Sequence, residues 1–209
     1  MNTRNSPAPR QFRWLPVALA ALLATGLTLA GCAAPATAPE STDTDRSPGV
    51  EEALAAHDLA GLDVREVIER LDAMPVADRP TDLVASVQPE ALVLRAADDR
   101  EVRLPMPDDE VYVSVAPFRE QTHECHFHSL TTCIGELTDT EVHLTLTTDD
   151  SAVLIDEMRR TYDNGFVGFW VPRGITATLT ITHDGRSGSV PVSTRNADDR
   201  TCITDLQLL

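Results

Sequence analysis

Residues 121–133, with the sequence QTHECHFHSLTTC, contain two cysteines and three histidines. Thiolates and imidazoles are the side chains that bind soft and borderline metal ions such as Cu(I) and Zn(II). The only other cysteines of the chain are Cys32 and Cys202. Because so many sulfur and nitrogen donors lie in one short segment, this segment is the first candidate for a functional site.

The N-terminal residues 1–31 have the pattern of a secretory signal peptide. Three arginines precede an apolar run over residues 15–30, which is too short for a good membrane-spanning helix. The run ends in Leu-Ala-Gly-Cys, which resembles the bacterial lipobox, where the signal is cut before a cysteine that is then lipidated. We therefore expect Cys32 to carry a lipid anchor on the outer face of the bacterial cell membrane, in a periplasmic or cell-surface location. An uncleaved anchor is the alternative.

Composition and charge limit the partners of the exported chain. Residues 32–48 are rich in Ala, Pro, Ser and Thr, which predicts a disordered tether. The formal net charge is −16, and removal of the signal, with its three arginines and no acids, leaves −19. A chain this acidic repels nucleic acid and anionic lipid, so we expect no nucleic-acid partner.

The first half of the exported chain, residues 49–106, is predicted to be a small domain of helix and short strands. Asp63 and Glu66 match the capping-box pattern of a helix N-terminus. One apolar stripe follows at helical spacing, formed by Val64, Val67, Ile68 and Leu71. Three β-like runs come next. About 55 residues are marginal for an independent core, so this half should pack against the second half or against another copy of itself.

The second half, residues 107–209, has a period of two instead. Seven short alternating runs are spaced roughly every ten residues, with Asp-Asn-Gly and His-Asp-Gly turns between some of them. This pattern favours an antiparallel β-sandwich of immunoglobulin-like or transthyretin-like type. The predicted fold class is therefore α+β: a small helix-and-strand domain followed by a sandwich.

Three cysteines remain once Cys32 is lipidated, and an odd number leaves one thiol outside any single disulfide. Loop entropy does not choose the pair, because closing Cys125–Cys133 gives roughly 2.5 kcal/mol and Cys133–Cys202 roughly 4.4 kcal/mol. Alternatively, all three thiolates converge on a metal. Cys202 has the same strand parity as two apolar leucines, so it should point inward. Both Cu(I) and a Cys3His zinc site fit these residues, and the spacing does not separate them.

The histidines of the segment differ in what the sequence predicts for them. If residues 123–128 were extended, His123 and Cys125 would share one face, with His126 and His128 on the other. At most one or two of these histidines should therefore join the thiols directly, and His128 could orient a sulfur instead. Three further histidines are expected to be ordinary surface or turn residues: His57, His143 and His183.

No pattern in the sequence supports an enzyme. Ser129 has no nucleophile elbow around it, and no acid is placed to orient a neighbouring histidine as a base. We expect no catalytic residues, and at most a stoichiometric reduction of metal by cysteine thiols.

Residues 121–137 resemble a motif of the CueP family, a group of bacterial periplasmic or cell-surface copper-binding proteins. The shared pattern is Thr-His-x-Cys-x-x-His-Ser-Leu-Thr-x-Cys-x-Gly-Glu-Leu. It is preceded by YVSVAPF at 112–118 and followed by DNGFVGFWVP at 163–172. The similarity extends over the chain from about Val50 onward.

The resemblance implies a metal site and its ligands. The family's three metal-site cysteines correspond to Cys125, Cys133 and Cys202. Its motif histidines match His123 and His128, whereas His126 has no firm counterpart. The implied metal is Cu(I), with zinc as the second candidate.

The resemblance also implies an organisation and a function. Residues 49–106 would mediate a homodimer and residues 107–209 would hold copper. The chain would be an extracytoplasmic copper-binding lipoprotein for copper buffering, resistance or delivery. Enterobacterial relatives supply a periplasmic copper/zinc superoxide dismutase, which makes such an exported protein a candidate recipient. The alternatives are a thiol-based Cu(II)/Fe(III) reductase and a structural envelope lipoprotein with one disulfide.

Overall fold

The computed structural model describes residues 48–209, with side chains from residue 52 onward. The predicted signal peptide, the predicted tether up to residue 47 and the predicted lipidation site Cys32 lie outside the described residues. The described residues belong to one compact unit. Within this part of the chain, no helix is both long and apolar enough to cross a membrane.

Two helices open the described chain, α1 (Pro48–Ala55) and α2 (Val64–Asp72), followed by a 3₁₀ turn (Val76–Asp78). The predicted capping box is confirmed. The Asp63 carboxylate accepts the Glu66 N–H at 2.9 Å, and the Glu66 carboxylate accepts the Asp63 N–H at 2.9 Å. The predicted stripe lies on the buried side of α2, since its last three members are buried: Val67, Ile68 and Leu71.

The described residues contain eleven strands: β1 (Leu83–Val87), β2 (Ala91–Ala96), β3 (Glu101–Pro105), β4 (Glu110–Val115), β5 (His128–Ser129), β6 (Glu141–Thr148), β7 (Val153–Arg160), β8 (Val167–Pro172), β9 (Thr176–His183), β10 (Arg186–Ser193) and β11 (Cys202–Ile203). The three runs predicted in the first half are β1 to β3. The seven predicted in the second half are β4 and β6 to β11. The two-residue strand β5 was not predicted.

The strands form three sheets, with orders β3-β2-β1-β5, β10-β9-β6-β7 and β11-β4-β8. All pairs are antiparallel except β11–β4, which is parallel. The protein is therefore mostly β, with largely antiparallel sheets, as the period of two predicts. One strand departs from the predicted alternation, because β7 is exposed along most of its length.

The sheets cover two main hydrophobic clusters. One is formed by strands of the second half, including Val113, Leu144 and Leu179. The other combines the α2 stripe with strands of the first sheet, and Tyr112 and Leu130 of the second half complete it. The first half therefore packs against the second half, which was one of the two alternatives that the sequence predicted for covering it.

This packing changes one argument for a dimer. Ile68 is 0% exposed and Leu71 is 1% exposed within a single chain. The stripe therefore needs no second copy to cover it. The predicted homodimer through residues 49–106, and the division into domains at residue 106, both stay predictions.

Candidate metal centre

The loop between β4 and β5 is tied to the last strand by backbone hydrogen bonds. The His126 carbonyl accepts the N–H groups of Thr201 at 3.0 Å and of Cys202 at 3.1 Å. Cys202 begins β11, which pairs with Ser114 of β4. The sequence-distant Cys202 is thereby brought beside the segment that carries Cys125.

The opposite side of the site is built by β5. This strand pairs with β1 of the first sheet, with His128 opposite Val87. The His128 N–H donates to the Thr201 hydroxyl at 3.1 Å. The turn after β5 then returns Cys133 to the same place, because its N–H donates to the Ser129 carbonyl at 3.1 Å.

The three cysteines lie together. Cys125 and Cys202 form a disulfide with a Cα–Cα distance of 5.7 Å. Cys133 is a buried free thiol, and its sulfur is 3.6 Å from the sulfur of Cys125. The sequence left the pairing open, and the pair formed is neither of the two compared by loop entropy. The geometry therefore describes the oxidised state of two of the three candidate ligands.

Both histidines singled out by the sequence adjoin the sulfurs. Ligand atoms of His123, Cys125 and Cys133 lie within 4.8 Å of one another, and so do those of His128, Cys133 and Cys202. Cys133 belongs to both groups. Because residues 123–127 are not a strand, the predicted separation of His123 and His128 onto opposite faces does not keep either from the sulfurs.

His126 turns away from the sulfurs. Its Nε2 lies 2.8 Å from the Asp198 carbonyl. The other histidines are also held elsewhere: the His143 ring lies 2.7 Å from the Asp156 carboxylate, and His183 Nδ1 lies 2.8 Å from the Glu141 carbonyl. His57 lies 3.9 Å from the Asp82 carboxylate.

An apolar ring lies beside both histidines of the site. Phe166 is fully buried, and its centroid lies 4.4 Å from that of His128 and 6.2 Å from that of His123. Phe166 packs in one small cluster with Ala116 and the cysteines. His128, Cys133 and Cys202 are buried beside it, in surroundings where charge interactions are stronger than in water.

A buried carboxylate from the first half reaches the site. Asp72, the last residue of α2, and His128 are both 0% exposed, and Asp72 Oδ1 lies 2.9 Å from His128 Nε2. The same carboxylate accepts the Tyr112 hydroxyl at 2.8 Å, the Ser114 hydroxyl at 3.2 Å and the Asn164 side-chain amide at 3.1 Å. Four donors therefore compensate for the loss of water around it.

The electrostatics of this pair favour its charged form. Burial raises the pKa of Asp72, but His128 and the neighbouring hydrogen-bond donors outweigh burial and hold this pKa below its usual value. Burial lowers the pKa of His128, but the Asp72 carboxylate outweighs it and raises that pKa to about 9. In the same way, burial raises the pKa of the Cys133 thiol, but His128 and the Ser129 amide bring it below its usual value.

Arg79 adds a second positive charge. It is 8% exposed and donates from Nη1 to the Cys133 carbonyl at 2.9 Å. Its Nε and Nη2 atoms have no hydrogen-bond partner among the described residues. Burial lowers the pKa of Arg79, while the charges of Asp72 and Cys133 oppose that effect. A guanidinium here stabilises negative charge on the Cys133 sulfur.

Four residues of the site were not predicted from the sequence: Asp72, Tyr112, Asn164 and Arg79. A signal for Asp72 did exist, because it follows Ile68 by four residues and so lies on the apolar face of α2. A carboxylate on such a face needs a partner. Asn164 was interpreted only as part of an Asp-Asn-Gly turn.

The donor set suits copper. Three sulfurs and a neighbouring imidazole are the ligands that Cu(I) prefers. Sulfur and imidazole ligands also bind zinc. The donors therefore indicate a class, small β-rich metal-binding proteins with a site of sulfur and imidazole ligands, and they do not by themselves identify the ion.

The chain belongs to the CueP family. The family model described as periplasmic copper-binding protein CueP matches residues 66–207, and the resemblance seen in residues 121–137 is thereby confirmed. The crystal structure of S.CueP is similar to this chain, with 32% sequence identity and a TM-score of 0.72. The match covers 78% of this chain and 99% of that chain. A comparison with curated proteins found no match.

Proposed function

We propose that the reduced protein binds one Cu(I) ion through Cys125, Cys133 and Cys202. The family is periplasmic and copper-binding. The observation that carries the proposal is the position of Cys133, whose sulfur belongs to both ligand groups of the site. A single ion beside Cys133 would be within reach of the other two sulfurs once their disulfide is reduced.

His128 and His123 are the nitrogen donors or supports of this site. His128 Nδ1 lies 3.8 Å from the Cys202 sulfur, and His123 shares a group with Cys125 and Cys133. Three thiolates and no obligatory fourth ligand favour Cu(I) over tetrahedral zinc.

In the cell, we propose that the protein is an extracytoplasmic lipoprotein anchored through Cys32. It would buffer copper, confer resistance or deliver copper to an exported acceptor such as a superoxide dismutase. We propose that residues 49–106 mediate a homodimer, and that the second and third sheets form a β-sandwich of immunoglobulin-like or transthyretin-like type. The dimer and the acceptor rest on the family resemblance.

A thiol-based metal reductase is the second candidate function, and the Cys125–Cys202 disulfide beside a free Cys133 favours it. Two Cu(II) ions would each take one electron from the pair of thiols. The two sulfurs would form the disulfide, and two protons would leave. Fe(III) could accept the electrons in the same way. The reaction is stoichiometric, so the protein would not act as an enzyme unless an external reductant restored the thiols.

Copper competition with thiol counting tests the proposal. The mature chain carrying Cys32→Ser should show three reactive thiols after reduction and denaturation, and one when denatured in the oxidised state. The reduced protein should hold one Cu(I) against a chromogenic Cu(I) chelator.

Each single Cys→Ser variant of the site should hold Cu(I) more weakly. His143→Ala, which changes a surface histidine 2.7 Å from Asp156, is the matched control and should bind as the parent does. Equal Cu(I) binding by Cys133→Ser and the parent would refute the three-sulfur site.

A further inference from the structure

A buried carboxylate lies between the first half of the chain and the sulfur cluster. Asp72 ends α2 and is 0% exposed, yet the three cysteines of the site come from the second half. Burial of a carboxylate is costly unless hydrogen bonds and charge compensate it. The four donors around Asp72 supply that compensation, and one of them is the ring of His128.

The carboxylate determines which nitrogen of His128 faces the sulfurs. An ionised carboxylate only accepts hydrogen bonds, so the His128 nitrogen 2.9 Å from Asp72 Oδ1, Nε2, must carry a proton. The other nitrogen, Nδ1, lies 3.8 Å from the Cys202 sulfur. Nδ1 is therefore the ring atom of His128 that can bind a metal held by the sulfurs. In the metal-free ion pair Nδ1 also carries a proton, which leaves when the metal binds, whereas Asp72 keeps the proton on Nε2.

Other contacts hold the carboxylate and the ring in this orientation. The Asn164 side-chain amide donates to Asp72 Oδ1 at 3.1 Å and to the Asp72 carbonyl at 3.1 Å. Phe166 packs against one face of the His128 ring, with centroids 4.4 Å apart. The ring cannot turn without losing the ion pair and this packing.

The glycine at position 168 makes room for the same hydrogen-bond network. A Cβ at Gly168 would overlap the Tyr112 hydroxyl and lie 2.8 Å from Asp72 Oδ2. The Tyr112 hydroxyl in turn donates to Asp72 Oδ2 at 2.8 Å. Gly168 thus leaves the space that lets Tyr112 reach the carboxylate.

We propose that Asp72 is a positioning residue for copper binding, which holds the proton of His128 on Nε2 and thereby presents Nδ1 to the ion. This inference rests on the proposed Cu(I) site. It assigns to α2, in the first half of the chain, the positioning of a ligand in a site whose sulfurs come from the second half. A carboxylate that orients a ligating histidine typically changes metal affinity by about 10- to 100-fold.

A double-mutant cycle tests the proposal on the mature chain with Cys32→Ser. Asp72→Asn keeps the size of the side chain and removes its charge, so Cu(I) affinity in chelator competition should fall about 10- to 100-fold. In a His128→Ala background the same substitution should cost less than about twofold, because Asp72 acts through His128. Asp156→Asn, at the exposed Asp156–His143 pair, is the matched control and should leave the affinity unchanged.

A second measurement needs no variant at Asp72. Cu(I) is diamagnetic, so ¹⁵N NMR of the Cu(I)-loaded protein should show a proton on His128 Nε2 and none on Nδ1. A proton on Nδ1, or an equal loss of affinity from Asp72→Asn with and without His128, would overturn the inference. If the parent protein holds no Cu(I), the proposed function fails; if the parent binds and Asp72→Asn binds equally well, only this inference fails.

Discussion

Reduction of the Cys125–Cys202 disulfide should lower the free energy of unfolding of the apo-protein by about 4.5 kcal/mol at 25 °C. The bond joins residues 77 positions apart. In the chain-entropy model, a loop of that length removes about 15 cal/mol/K from the unfolded ensemble, which gives this value. The loss is a large fraction of the 5–15 kcal/mol that stabilises an ordinary domain.

Urea unfolding with and without a reductant measures this loss, with the fluorescence of Trp170 as the probe. Cys133→Ser is the matched control, because Cys133 lies outside the bond and is 3.6 Å from Cys125. It should lose as much stability on reduction as the parent. Adding Cys202→Ser to Cys133→Ser leaves Cys125 as the only cysteine of the site, and this double variant should be insensitive to reductant. An unchanged parent midpoint on reduction, or full sensitivity in the double variant, would refute the pairing.

Three further predictions concern the network and the metal. Gly168→Ala should lower the free energy of unfolding by about 1–3 kcal/mol in urea titrations, because the new Cβ overlaps the Tyr112 hydroxyl; an unchanged midpoint would contradict this packing. In Cys133→Ser, which removes the competing titration of the thiol, the stability from the buried pair should be present between pH 4 and 6.5. It should fall as pH rises above 6.5 through the raised pKa of His128, where His128 loses its proton, and as pH falls below 3.8 through the lowered pKa of Asp72. Urea titrations at a series of pH values measure this dependence. If His128→Ala in the same background lost the same stability between pH 6.5 and alkaline pH, the prediction would be contradicted. Finally, free Cu(I) at a hundredfold excess over its Kd should stabilise the reduced protein by about 2.7 kcal/mol in the same assay, whereas equal stabilisation of the oxidised protein would count against the three-sulfur site.

Local spacing made the elements of the fold predictable. The capping box of Asp63 and Glu66 and the stripe after it depend only on residues within two helical turns. The strands of the second half likewise follow from a period of two and from turns such as Asp-Asn-Gly at residues 163–165. These patterns record which side of an element is buried, so they can be found without knowing what covers it.

Long-range pairing could not be predicted in the same way. The strand β5 is two residues long and exists because it pairs with β1, far away in the sequence. The residues that cover the α2 stripe also come from distant parts of the chain. One of them is Leu130, which directly follows β5 and belongs to the same hydrophobic cluster as the stripe. The pattern of α2 alone is equally compatible with a dimer.

The candidate ligands of the site could be predicted from the sequence, but the residues that orient those ligands could not. The types and spacing of the cysteines and of His123 and His128 were enough to group them, and the structure places them together. The disulfide pairing was open because loop entropy changes slowly with length. Asp72 was missed because a lone carboxylate on an apolar stripe shows only that a partner exists, and the partner comes from a distant strand.

X-ray absorption at the copper edge, on the reduced mature protein loaded with one Cu(I) per chain, reports the atoms bound to copper and so tests the three-sulfur site. We expect a first coordination shell dominated by sulfur, with one sulfur fewer in Cys133→Ser and an unchanged shell in the His143→Ala control. A shell of nitrogen and oxygen only, or the same number of sulfurs in Cys133→Ser as in the parent, would contradict it.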